Sequence, residues 1–126
     1  MDVIFILDNL GSIHQYYNAL MFARYVANGL DIDSGNVRVG AIAYSISALG
    51  QFYLRDYNSR DAVIAALLFH NPGRYTGSGT ACAFNDVLNS HFTGEYGARP
   101  DVRKVNNYTD MLLLLFLRCF YSTNMF

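Results

Sequence analysis

Residues 2–12 read DVIFILDNLGS, and this stretch decides the fold class. Its five consecutive apolar residues, Val3 to Leu7, are rich in branched side chains, which is typical of a central parallel strand covered on both faces. The run ends in Asp8, and the short turn that follows ends in Ser12, which can cap a helix. We expect a carboxylate at the end of such a strand to serve a ligand, because ligands bind beyond the carboxyl ends of parallel strands.

Strand and helix patterns continue to alternate along the chain. Apolar residues recur at helical spacing over Ile13–Leu30, among them Ile13, Tyr17, Leu20 and Met21. VRVGAIAY (Val37–Tyr44) predicts a second strand. QFYL (Gln51–Leu54) predicts a third, at an edge and antiparallel to the second, after a reversal near Gly50.

Two further helices complete the pattern. Ser59 caps a helix predicted over Asp61–Phe69, and another helix is predicted over Thr80–Phe92. This alternation predicts an α/β fold: a Rossmann-like, doubly wound, mostly parallel sheet with one antiparallel edge strand and helices on both faces.

The composition fits one globular domain and excludes several classes of partner. The chain has 126 residues, of which 52% are hydrophobic and 15% charged, and its net charge is -1. It has no basic stripe, so we expect no nucleic-acid partner. The apolar run MLLLLFL (Met111–Leu117) is far shorter than the roughly 20 residues that span a bilayer, so we expect no membrane span.

The order of five segments resembles the von Willebrand factor type A domain, most closely its matrilin and collagen type of extracellular matrix member. The matching segments are DVIFILDNLGS, RVGAIAYS (Arg38–Ser45), FYLRDYNSRDAVIAAL (Phe52–Leu67), GSGTACAFNDVL (Gly77–Leu88) and GARPDVRKV (Gly97–Val105). The resemblance assigns residues 1–105 to the N-terminal part of such a domain and leaves residues 106–126 as a divergent hydrophobic tail.

The family fold continues for further strands and helices, so the resemblance implies a chain that is truncated at its C-terminus. A sheet without its far edge leaves apolar faces uncovered and an edge unpaired. We therefore expect poor stability or oligomerisation of the chain as given.

The resemblance also implies a metal-ion-dependent adhesion site. In the family an Asp-x-Ser-x-Ser loop, a Thr from a Gly-rich loop and a later Asp supply oxygen ligands, which suit Mg²⁺. Asp8, Ser12 and Thr80 match this pattern, whereas Leu10 replaces the first serine. Asp110 is the one candidate for the last acid, but it lacks the glycine that normally follows. We therefore expect Mg²⁺ binding that is weak or absent.

Each candidate ligand also has a structural interpretation. Asp8 can cap a turn, and Ser12 and Thr80 can each be only the N-cap of the helix that follows. Other members of the family bind partners through loops and helix faces without metal, so the loss of one ligand leaves an adhesion role open.

The leading functional interpretation is a non-enzymatic adhesion or protein-interaction module with a collagen-like or other matrix protein as ligand. It implies an extracellular location as part of a longer protein, although this chain has no signal peptide. One alternative is a haloacid-dehalogenase-like phosphatase with Asp8 as nucleophile, but Leu10 stands where its second Asp belongs. The other is a non-functional fragment of a larger matrix protein.

Overall fold

The computed structural model of the protein describes residues 1–8, 13–44, 48–68 and 87–105. Its longer elements, in chain order, are β1 (Asp2–Asp8), α1 (Ile13–Asn28), β2 (Arg38–Tyr44), β3 (Ala48–Phe52), α2 (Arg60–Leu68) and β4 (Lys104–Val105). Two short helical turns, Val87–His91 and Gly94–Tyr96, lie between α2 and β4.

The four described strands form one sheet in the order β3-β2-β1-β4. β1 is parallel to β2 from Asp2 opposite Arg38 to Asp8 opposite Tyr44, and it is parallel to β4 on its other side. β3 is antiparallel to β2. The predicted α/β fold with a mostly parallel sheet and one antiparallel edge strand is confirmed.

The two faces of the sheet bury different side chains, because successive residues of a strand point to opposite faces. One face packs against α1 and α2 and holds the larger cluster, which includes Val3, Leu7, Val39, Ala41, Ala43, Leu20, Ala23, Val63 and Leu67. The other face is covered by the segment 92–98, through Ile4, Ile6, Ile42, Leu54, Ala98 and Phe92. β1 is thus buried on both sides, as its apolar run predicts.

The face that α1 buries against the sheet is not the one that carries several of its large apolar side chains. Its buried residues are Tyr16, Leu20, Ala23 and Ala27, at helical spacing. The two alanines, both fully buried, permit a close approach of helix and sheet. Ile13, Tyr17 and Met21, which help to define the helix in the sequence, are exposed instead.

α2 matches its prediction closely. The Ser59 hydroxyl accepts a hydrogen bond from the Ala62 N–H at 3.3 Å, so Ser59 is the N-cap.

β3 begins at Ala48, so Gly50 lies inside the strand and not in the reversal before it. A register shift of the β2–β3 pairing between Ala41 and Ile42 accommodates this.

The region after α2 departs from the prediction where the structure describes it. Residues 80–86 of the predicted third helix lie outside the described ranges, and Val87–His91 form a wider π-type turn. Lys104–Val105 form a strand that the sequence did not reveal, because two residues carry no periodic pattern. No described helix has the length and hydropathy to cross a bilayer.

Candidate functional site

One residue of the predicted metal site, Asp8, lies at the carboxyl end of the sheet, where β1 and β2 finish. Asp8 is the last residue of β1 and pairs with Tyr44, the last residue of β2. α1 begins at Ile13, so residues 9–12 connect β1 to α1. This is the arrangement in which parallel α/β sheets bind ligands.

α2 runs from the amino end of the sheet towards the same carboxyl end. Its first residue, Arg60, is held at the amino end of the sheet by Asp33, which lies in the loop before β2. From there α2 rises by about 12 Å to Leu68. The last residue of α2, Leu68, therefore lies towards the carboxyl end of the sheet.

The structure places Asp8 by its backbone, and the other candidate residues lie outside the described ranges. These are Leu10, Ser12, Thr80 and Asp110. Within residues 1–8, 13–44, 48–68 and 87–105, no three His, Cys, Asp or Glu side chains are grouped to hold a metal. The chemistry of the candidate set is clear: one carboxylate and two hydroxyls are oxygen donors of the kind that Mg²⁺ prefers, and Leu10 offers none.

A second polar cluster, at the amino end of the sheet, is described in full. Asp2 is completely buried, and its carboxylate accepts two hydrogen bonds from Arg99 and forms an ion pair with its guanidinium. The Arg99 backbone N–H lies 2.7 Å from Asp2 Oδ2, while Nε and Nη2 lie 2.9 Å and 2.8 Å from Oδ1. The guanidinium also donates to the carbonyls of Met1, Gly35 and Asn36. Arg99 thereby ties three segments together at the start of the sheet.

The loop between α1 and β2 adds a network of acidic groups to the same end. The backbone N–H of Arg60 and then its guanidinium donate to Asp33 and hold the pKa of that carboxyl below its usual range. Hydrogen bonds from Ser34 and then Asn36 lower the pKa of Asp31. These carboxylates are occupied by the protein's own donors, so this loop is an anchor for α2.

Sequence analysis missed the Asp2–Arg99 pair. Asp2 is the first residue of β1, directly before the apolar run Val3–Leu7, and its partner is 97 positions away. It also missed the stack of Tyr53 on Tyr96, whose ring centroids are 4.3 Å apart, with Arg55 above Tyr96 at 5.5 Å. Both contacts fix the segment 91–99 against the sheet, and neither has a local signature.

The fold places the chain in the class of α/β domains with a mostly parallel sheet, and comparison with known proteins identifies the family. The model of the von Willebrand factor type A domain matches residues 2–107. The chain belongs to this family, as the resemblance of its segments predicts.

Individual relatives are matrix and integrin chains. Over 105 residues the chain is 28% identical to integrin alpha-1 of Gallus gallus, and over 102 residues it is 35% identical to the collagen alpha-5(VI) chain of Homo sapiens. It is 28% identical over 109 residues to matrilin-1 of Gallus gallus. The matches cover 83%, 79% and 82% of this chain but 37%, 4% and 22% of those proteins. The chain therefore spans much less than two thirds of each relative.

A solved structure shares the fold. Proximal thread matrix protein 1 from the mussel byssus superimposes with a TM-score of 0.75 at 17% identity, over 82% of this chain and 28% of that one. Another structure of the same protein, with zinc in its MIDAS motif (the metal-ion-dependent adhesion site), gives a TM-score of 0.73 at 16% identity over 79% and 28%. A domain of this fold can thus carry a metal ion at such a site.

Proposed function

We propose that the chain is a non-enzymatic adhesion module of an extracellular matrix protein, with a degenerate metal-ion-dependent adhesion site. The observation that carries the proposal is the position of Asp8, which is the last residue of an inner strand of a type A domain and lies five positions before the start of α1. Relatives among integrins, collagens and matrilins support a role in protein–protein interaction outside the cell. The ligand proposed is another matrix protein, with collagen-like chains as the first candidates.

Asp8, Ser12 and Thr80 would hold a Mg²⁺ ion through one carboxylate and two hydroxyl oxygens. The ion would leave a coordination position for a carboxylate of the protein ligand. Leu10 removes one oxygen donor, so the affinity for metal is weak in this chain. A partner that relied on the metal would bind weakly for the same reason.

Calorimetric titration with Mg²⁺ and Mn²⁺ tests the site. The parent chain should show very weak binding or none, whereas Leu10→Ser should bind at least about tenfold more tightly because it restores an oxygen. Leu10→Ala is the matched control, since it removes the leucine without adding a donor, and it should behave like the parent.

Two results would contradict the proposed site. Tight, saturable binding by the parent chain would show that Leu10 does not impair it. Equal gains from Leu10→Ser and Leu10→Ala would show that bulk, and not a missing oxygen, limits binding. Adding Thr80→Ala to Leu10→Ser should remove the gain, because it takes away another hydroxyl.

The adhesion role has its own test. Immobilised collagen and a triple-helical peptide with glutamate should retain the Leu10→Ser variant in Mg²⁺ and release it in EDTA. If neither matrix ligand retains the parent or the variant under any metal condition, collagen-like ligands are excluded.

A further inference from the structure

The solvent-facing side of α1 carries a continuous row of large apolar side chains. Ile13, Tyr17, Met21 and Tyr25 expose 69%, 56%, 39% and 82% of their surface. They follow one another at intervals of four residues and so form a single ridge about 18 Å long. We call these four residues the outer stripe. The buried face of α1 is separate, because it uses Tyr16, Leu20, Ala23 and Ala27.

The outer stripe is almost free of charge. Arg24 is the one Lys, Arg, Asp or Glu among the 16 residues of α1, and its Nη1 lies 3.3 Å from the Met21 sulfur, beside the stripe. A helix on a solvated surface normally carries charged residues on its outer face. Contiguous apolar patches of this kind mark interaction surfaces in soluble proteins.

We propose that α1 is a self-association surface, on which two copies of this chain pack their outer stripes against each other in antiparallel orientation. Ridges formed by every fourth residue interdigitate with identical ridges, which is the commonest mode of helix packing. A two-fold axis midway along the stripe places Ile13 of one protomer opposite Tyr25 of its partner, and Tyr17 opposite Met21.

The order of side chains favours a second copy as the occupant. In the antiparallel arrangement each tyrosine meets an isoleucine or a methionine, so a large ring faces a more slender side chain, and a thioether contacts an aromatic ring. The lack of charge along the stripe means that two copies meet without repulsion between like charges. A partner recognised by its charge would find no complementary group on the stripe.

The size of the surface sets the expected affinity. From their exposed fractions, the four side chains offer on the order of 400–500 Å² per protomer. Two protomers would thus bury about 800–1,000 Å² in total, which is below the roughly 1,200 Å² at which stable interfaces begin and in the range of weak, transient complexes. The dimer should therefore be weak and depend on concentration in the micromolar range.

Sedimentation velocity of the full chain tests the proposal. The parent chain should be monomeric near about 1 µM and increasingly dimeric towards about 200 µM. Tyr25→Lys and Ile13→Glu should each raise the dissociation constant at least about tenfold, because each buries an unpaired charge at the interface. Leu68→Lys, which changes an exposed leucine of α2, is the matched control and should leave the dimer unchanged.

The double variant provides the sharper test. Ile13→Glu combined with Tyr25→Lys brings opposite charges together across the two-fold axis, at both ends of the stripe, and should restore the dimer. The two positions are too far apart within one helix to pair. Circular dichroism should show unchanged helix content in every variant, because the substituted side chains are exposed.

Several outcomes would overturn the proposal. A parent chain that stays monomeric throughout would show that a different protein or another segment of the chain covers the stripe. A dimer that survives Tyr25→Lys would place the interface elsewhere. Failure of the double variant to recover the dimer would exclude the antiparallel pairing.

Discussion

β1 begins with Asp2 and ends with Asp8, and these two aspartates lie at opposite ends of the sheet. The surroundings of the two ends differ. At the amino end Asp2 is fully buried, and its carboxylate is hydrogen-bonded and ion-paired to Arg99. At the carboxyl end Asp8 is the last residue of β1, and it is the carboxylate of the proposed metal site. One strand thus supplies a structural carboxylate and a candidate binding carboxylate.

The described charged contacts that stabilise the fold are concentrated at the amino end of the sheet. Asp2–Arg99, Asp33–Arg60 and the bond from Arg38 to the Gly97 carbonyl all lie at the amino end. In each of these contacts a charged side chain is paired with another group of the same chain. A carboxylate that is to bind a metal must keep its oxygens for it, so the carboxyl end is the place for such a residue.

The largest effect on stability should come from Arg99→Leu. It leaves the buried Asp2 carboxylate with the Arg99 backbone N–H as its remaining donor among those described, and the loss should be about 3–5 kcal/mol of unfolding free energy. Urea unfolding followed by circular dichroism measures it.

Adding Asp2→Asn to Arg99→Leu is the control for this interpretation. The double variant should be more stable than Arg99→Leu alone, because it removes the uncompensated buried charge. A double variant that is no better would assign the loss to the carbonyls that Arg99 connects, and not to its ion pair with Asp2.

Gly97→Ala should destabilise the amino end by about 1–3 kcal/mol. Gly97 has a φ of 93°, which side-chain-bearing residues rarely adopt, and an added Cβ would lie 2.7 Å from the Cβ and N of Arg55. The same urea titration measures the effect.

Gly94→Ala is the matched control, three residues earlier in the same segment. Nothing lies within 4 Å of its added Cβ, and Gly94 is not among the glycines with positive φ. The stability should change by less than about 0.5 kcal/mol. Equal losses at the two positions would mean that the strained conformation at Gly97 does not matter.

Sequence predicts the elements of this fold well because their signals are local. The apolar run before Asp8 defines a buried strand, and Ser59 defines the start of α2 to within a residue. The family resemblance, which rests on such segments in order, is confirmed by the match over residues 2–107.

The features that sequence analysis misses depend on distant pairing or on the choice between two apolar faces. Arg99 reaches Asp2 from the far end of the described chain, and no local pattern links them. In α1, both Tyr17 and Leu20 belong to apolar rows of helical spacing, and only the fit of Ala23 and Ala27 to the sheet decides which row is buried. The candidate metal ligands Asp8, Ser12 and Thr80 stay a prediction.

Asp33→Asn should have a smaller effect that depends on pH. The backbone N–H of Arg60 and then its guanidinium donate to Asp33 and hold the pKa of that carboxyl below its usual value, so the charged form is favoured in the folded state. Its contribution is therefore fully present above the unfolded pKa and is lost as the pH falls through the lower, folded pKa. The urea midpoints of the parent and Asp33→Asn should differ near pH 7 and converge below pH 4. A constant difference would show that the hydrogen bonds, and not the charge, matter.

Asp8→Asn should have the smallest effect on stability, if the comparison between the two ends of β1 holds. Asparagine keeps the shape of aspartate, and a residue reserved for a ligand adds little to the folded state in the absence of that ligand. The variant should unfold in metal-free buffer within about 0.5 kcal/mol of the parent. In the Leu10→Ser background it should also abolish the rise in melting temperature that Mg²⁺ produces, because only a ligand that binds the folded state stabilises it. A loss of stability as large as that of Arg99→Leu would mean that Asp8, like Asp2, is committed to the protein's own donors, and the proposed metal site would then have lost its carboxylate.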